Sequence, residues 1–248
     1  MDRRRAVARS SEPLVSTRVE SIDTARGIAI VAMIVYHFVF DLRYFGVVRA
    51  DFENDPFWLT VRATIVTSFL LIVGISIVLA RQANVPPARL VRRVIVIAAC
   101  AAAASIGSYV IYPQTFIYFG ILHCIAVSSV LAWPLAARPR LAGVLGVAMV
   151  VAGLTFSSEW FDSRWASWLG FTKSKPPTQD FVPLFPWLGV VLIGITAGDA
   201  LARHAFAPIR SLAKWPASLR WLGRHSLAVY MVHQPLLMGA LWLALRRF

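Results

Sequence analysis

Seven apolar runs decide what this chain can fold into. They cover roughly residues 25–46, 57–80, 91–112, 116–136, 141–158, 184–202 and 226–245. A helix needs about 20 apolar residues to cross a bilayer, and in lipid the helix satisfies its own backbone. The expected fold is therefore all-α: a polytopic transmembrane helical bundle of about seven membrane helices. Composition agrees, with 58% hydrophobic residues, 15% charged residues and a mean hydropathy of +0.66. A soluble domain is nearer half apolar and a quarter charged. The fifth run is the shortest, and its Gly143, Gly146 and Gly153 permit close helix contact. Its Gly143-Val-Leu-Gly146 patch leaves a homodimer open without establishing one, so the oligomeric state is not assigned.

Charge sets the orientation. The net charge is +13, and most basic residues sit between the apolar runs. With the N-terminus in the cytoplasm, 17 of the 25 basic residues fall on the cytoplasmic side. Asp51, Glu53, Asp55, Glu159, Asp162 and Asp180 fall on the other side. This asymmetry predicts N-in and C-out, with Arg246 and Arg247 as the poorest fit. A basic chain with no soluble domain suits an anionic leaflet, not nucleic acid. Residues 1–24 hold five arginines and no apolar stretch. They read as a cytoplasmic basic tail, not a cleaved signal peptide. Short loops and no signal peptide favour a bacterial inner membrane.

Two loops stand out. The outer loop around 159–183 carries Trp160, Trp165 and Trp168 and leads through Asp180 to Trp187. Aromatics at that level suit the membrane interface and can equally stack on a sugar ring. The inner loop 203–225 contains Lys214, Trp215, Pro216 and Trp221. It is expected to lie along the cytoplasmic surface as a short amphipathic piece. Cys100 and Cys124 both fall inside apolar runs and read as packing residues. No CxxC pair and no Cys/His metal spacing is present, so no metal is expected.

The ionisable residues inside the first run carry the chemistry. Such groups are costly in a bilayer, so each is a functional-site candidate. Eleven residues at 100° each return His37 to within about 20° of the face of Arg26, roughly 16 Å along the axis. Asp41 lies one turn beyond His37. One face thus reads Arg26, Ile30, Met33, His37, Asp41. His37 is either a general base or a helix-packing histidine. Asp41 either orients His37, as a triad carboxylate does, or is an interfacial residue near the helix end. Arg26 is either a positive-inside anchor or a phosphate ligand. Ser21 and Asp23 precede the run and read as N-caps, or as part of a phosphate site at a helix N-terminus.

Further along, His123 is as readily structural as catalytic. His233 precedes Gln234 and Pro235, and Pro235 frees a backbone carbonyl one turn earlier. His233 either lines a polar cavity or bonds such a group. Asp199 is placed to pair with Arg203 one turn on. No Walker loop, GxGxxG, HExxH, GxSxG or CxxCH motif occurs. The inventory suits proton transfer on a substrate brought by an activated carrier, or a proton-coupled transporter or flippase. The transporter reading is weakened because no internal inverted repeat is visible.

The run Arg18-Val-Glu-Ser-Ile-Asp-Thr-Ala-Arg-Gly-Ile-Ala-Ile-Val-Ala-Met-Ile-Val-Tyr-His37 resembles the opening motif of the heparan-α-glucosaminide N-acetyltransferase catalytic-domain family. Tyr118-Phe-Gly-Ile-Leu-His123 and the stretch Asp180, Pro183, Pro186, Trp187, Leu188, Gly189 are similar to its bacterial members. The Arg26-x10-His37 spacing and the closing segment Trp221 to Pro235 resemble the broader transmembrane acyltransferase-3 group. The resemblance covers residues 18–240 and implies an acyltransferase domain over 25–248. It implies acetyl-CoA as donor on the cytoplasmic side, and a sugar amine or hydroxyl of a glycan as acceptor on the outer side. Arg26 and His37 match the pair regarded as essential in the acyltransferase-3 group. The lysosomal member places its active histidine in the outer loop after this helix, where this chain has Asp51, Glu53 and Asp55. The expected site is then His37, Asp41 and His123 for catalysis. Arg26, Asp23 and Ser21 are expected on the CoA side, and Asp180, Trp187 and His233 on the acceptor.

Overall fold

The computed structural model describes residues 19–245, and its regular elements are helices. Eight α-helices follow in order: α1 (Glu20–Tyr44), α2 (Pro56–Gln82), α3 (Pro87–Ile111), α4 (Ile121–Leu135), α5 (Pro139–Thr155), α6 (Leu184–Arg203), α7 (Ala217–Arg224) and α8 (Ser226–Leu245). Five of them, α1, α2, α3, α6 and α8, are long and apolar enough to cross a membrane. The other two apolar helices are shorter: α4 has 15 residues and α5 has 17. At 1.5 Å per residue they reach only about 22–26 Å. Each of the seven apolar runs thus contains one helix, and α7 is the extra, short element.

Local sequence accounts for most boundaries. Prolines open α2, α3 and α5, where the missing N–H would have had no partner. Asp55 caps α2 by accepting from the Phe57 N–H at 2.9 Å. Two boundaries differ from expectation. The first helix begins at Glu20, five residues before the apolar run, and its N-cap is Val19, with no side-chain cap. Ser21 and Asp23 are therefore buried first-turn residues and not N-caps. Their polarity hid the helix start, which is covered by α7. The basic tail expected over 1–24 lies mostly outside the described residues. In the fourth run, 116–120 is not helical. It lies extended beside 178–182, with Phe119 bridged to Phe181, Gln179 N donating to Thr115 O at 2.9 Å and Val182 N to Phe119 O at 3.3 Å.

Packing centres on α6, which lies between α2 and α5. Gly146 of α5 and Gly189 of α6 each face the other's backbone carbonyl, so a Cβ at either position would collide. This is the close contact that the glycines of the fifth run predict. Leu70, Val78, Val191, Leu192 and Ile195 are buried at the α2–α6 contact. A second apolar cluster, Ile30, Met33, Tyr36, Phe52 and Ile65, ties α1 to α2.

Outward surfaces are apolar. Val110 and Leu154 are 75% and 74% exposed, and the apolar windows of α3 and α8 are 11% and 6% buried. Water would oppose so much exposed hydrocarbon, whereas lipid accepts it. The chain is a multi-pass membrane protein. Side-chain bonds define its two ends. Arg26 to Ser76, Gln82 to Asp199 and Thr196 to Pro139 join the start of α1, the end of α2, the start of α5 and the end of α6. The 112–120 and 178–182 segments lie together at the opposite end. At the first end, a 3-10 segment (Ala207–Lys214) and α7 form an amphipathic piece over the stretch 203–225.

Candidate active site

A polar cluster lies at the seam between α1 and α8. His37 and Asp41 share one face of α1, as their spacing requires. The adjacent residues His233 and Gln234 meet them from α8. The rings of His37 and His233 approach edge-on with centroids 5.0 Å apart. Gln234 Nε2 donates to Asp41 Oδ1 at 2.6 Å. Asp41 is only 1% exposed. Tyr36, T-shaped to His37 at 5.7 Å, packs against Phe52 and Trp58 and closes the side toward α2. His233 Nδ1 lies 2.6 Å from the Tyr230 carbonyl oxygen one turn back.

The seam differs from the expected pair in one respect. No hydrogen bond joins His37 to Asp41 among the described residues; Gln234 holds the carboxylate instead. Three buried polar atoms there have no hydrogen-bond partner among the described residues: Asp41 Oδ2, His233 Nε2 and Gln234 Oε1. Buried polar groups are satisfied in the large majority of cases, so such a cluster calls for an explanation.

Arg26 lies at the other end of the same α1 face. Its guanidinium donates to Asp23 Oδ1 at 3.2 Å, to the Gly223 carbonyl at 3.4 Å and to Ser76 Oγ at 3.1 Å. Asp23 also accepts from Arg224 Nε at 3.3 Å. Asp23 and Ser21 are each 4% exposed. The three residues expected on the CoA side are thus together, inside a junction of α1, α2 and α7. Arg203 pairs with Asp199 at 2.6 Å, as the i, i+4 spacing predicts.

His123 and Asp180 meet at the start of α4. Asp180 Oδ2 accepts the Ile121 N–H at 2.8 Å. His123 Nδ1 accepts the Gly120 N–H at 3.2 Å, so in the neutral ring the proton sits on Nε2, 3.3 Å from Ser105 Oγ. His123 is thereby a capping residue. No hydrogen bond or ring contact connects it to His37 or His233. Burial pushes the Asp180 carboxyl up, while the Ile121 N–H and the charges of Arg62 and Lys175 pull it down. Trp187 is half-buried at the start of α6, packed against the main core. Trp160 and Trp165 are 88% and 91% exposed on the loop between α5 and α6, in keeping with an interfacial position.

Two residues escaped the sequence reading. Gln234 was overshadowed by His233 and Pro235, although a buried amide beside a histidine is itself a signal. Arg62 stands six residues inside α2, in an otherwise apolar stretch. It is half-buried, with no hydrogen bond or ion pair among the described residues, and its charge acts on Asp180.

Seven apolar helices, with a His–His–Asp–Gln cluster where α1 meets α8, define an all-helical, multi-pass membrane protein. The model of one family, heparan-alpha-glucosaminide N-acetyltransferase, catalytic, matches residues 18–235. The chain belongs to that family, and its function is of the membrane acetyltransferase kind. Searches of curated proteins and of solved structures returned no match.

Proposed function

We propose that this protein is an integral-membrane acyltransferase that moves an acetyl group from acetyl-CoA to a sugar amine or hydroxyl of a glycan. The donor reaches the site from the end where α1 begins, and the acceptor from the opposite end. The observation that carries this reading is the α1–α8 seam: two histidines in ring contact beside three buried polar atoms without partners. A reaction in which an amine or hydroxyl attacks a thioester needs a nearby proton acceptor, and general-base help of this kind contributes about 10²–10⁴ in rate. The His37–His233 pair supplies that acceptor. Asp41 balances the charge that develops on the pair.

Arg26, with Asp23 and Ser21 around it, forms the donor side. The basic residues Arg220 and Arg224 of α7 stand beside it, at the end that positive-inside bias assigns to the cytoplasm. A guanidinium matches phosphate geometry, and the CoA carrier brings phosphates. Asp180, Trp187 and His123 line the acceptor side, where Arg62 adds a cation. The bacterial inner membrane is the location that fits the charge pattern.

The test is transfer of labelled acetyl from acetyl-CoA by purified protein in liposomes, over a panel of amino sugars and glycans. Labelled acceptor with the wild type, and none with His37→Ala, is the expected result. Proton-driven uptake of unmodified sugar with no acetylated product would replace this reading with a transporter.

A further inference from the structure

The hydrogen bond at His233 fixes more than its position. The Tyr230 carbonyl oxygen can only accept, so the 2.6 Å contact puts the proton on His233 Nδ1. In the neutral ring, Nε2 then carries the lone pair. That same Nε2 is buried and has no partner. His37 has no such bond to set its tautomer among the described residues. The two neighbouring unpartnered atoms, Asp41 Oδ2 and Gln234 Oε1, are also acceptors, the first as carboxylate and the second as amide oxygen. Gln234 donates its NH2 to Asp41, so its oxygen is the amide atom left without a partner. Three acceptors without a donor among them match a ligand group rich in N–H or O–H.

We infer that His233 is the proton-accepting catalytic residue, and that Asp41 Oδ2 and Gln234 Oε1 receive the acceptor's remaining donors. This rests on the acyl-transfer reading above and assigns the base within it. The amine nitrogen or hydroxyl oxygen of the acceptor bonds to the thioester carbonyl carbon. Its proton passes to His233 Nε2. The C–S bond breaks, and the departing CoA thiolate takes the proton back from Nε2, leaving acetylated acceptor, free CoA thiol and a neutral His233. The Tyr230 carbonyl holds the imidazolium that forms between these steps.

The experiment compares wild type, His233→Ala, His233→Gln and His37→Ala in liposomes, using labelled acetyl-CoA and the best acceptor of the panel, with and without added imidazole. A drop of about 10²–10⁴-fold is expected in both His233 variants. Imidazole should restore part of the activity of His233→Ala, which a misfolded protein would not allow. Little or no rescue is expected in His37→Ala. If either His233 variant transfers within tenfold of wild type, or if imidazole rescues His37→Ala alone, the base is not His233 while acyl transfer stands. If wild type acetylates no acceptor, the acyl-transfer reading falls and this assignment falls with it.

Discussion

Gln234 donates to Asp41 across 2.6 Å, between helices 193 positions apart in the chain. It is a direct polar link between α1 and α8, and both residues also carry an unpartnered oxygen. Gln234→Leu would leave both oxygens of a buried carboxylate without a donor. Stranding a buried partner costs about 1–3 kcal/mol, whereas replacing both partners by apolar groups is nearly neutral. Gln234→Leu should therefore lower the thermal midpoint of the detergent-solubilised protein, and adding Asp41→Leu should recover most of the loss. Equal midpoints for wild type and Gln234→Leu would show that the bond contributes nothing.

Arg26 bridges three elements, through Asp23 on α1, Ser76 on α2 and the Gly223 carbonyl on α7. A role confined to CoA would leave the unliganded protein unaffected by its loss. The geometry predicts otherwise. Arg26→Ala should lower the thermal midpoint without ligand, by about 1–3 kcal/mol in stability, and also weaken acetyl-CoA binding measured by equilibrium dialysis. Arg26→Lys should fail to restore either fully, since one ammonium cannot reproduce a planar fork that reaches several acceptors. Normal melting with lost binding would assign Arg26 to the donor alone.

The contrast between α1 and α8 explains how much of this molecule was legible beforehand. The apolar runs located seven helices because hydrocarbon length is a local property. Asp199 with Arg203, one turn apart, was equally local and pairs as expected. The shared face of His37 and Asp41 followed from helical periodicity too. Their actual partners did not. His233 and Gln234 arrive from a helix far along the chain, and no spacing within α1 foretells them. The polar start of α1 resembles a tail in sequence because its cover, α7, is a tertiary contact. The contacts of His123 with Gly120 and Ser105 are set by the fold around 116–120, which its residue type does not foretell.

Gly223 sits where α7 crosses the start of α1, and a Cβ there would run into the Asp23 carbonyl. Gly27 meets the Leu219 carbonyl in the same crossing. Backbone is a hard obstacle, so Gly223→Ala must push α7 away from α1 and lengthen the Arg224 to Asp23 contact. Overpacking of this kind costs about 1–3 kcal/mol. The expected result is a lower thermal midpoint. Because α8 follows α7 directly, acetyl transfer should fall as well. Gly239→Ala, at a position with nothing within 4 Å of an added Cβ, is the control and should melt with wild type.

Asp180 stands in for a cap that α4 lacks: the N-cap residue is Gly120, which has no side chain to offer, and Asp180 supplies an acceptor to the Ile121 N–H from 59 positions away. Asp180→Ala should lose the acceptor at every pH, at a cost of about 0.5–2 kcal/mol. Asp180→Asn keeps an oxygen for that bond and removes the titration. Burial raises the carboxyl in the folded chain, so the native state binds its proton more readily than the unfolded chain, whose Asp titrates near about 3.9. Stability from this group is then fullest below the unfolded value and declines as pH rises through the folded one. Thermal midpoints of wild type and Asp180→Asn, measured from acid toward neutral pH, should diverge over that window, with wild type losing ground. A difference that stays flat, or that grows in favour of wild type, would mean that Arg62 and Lys175 outweigh burial and hold the carboxylate ionised.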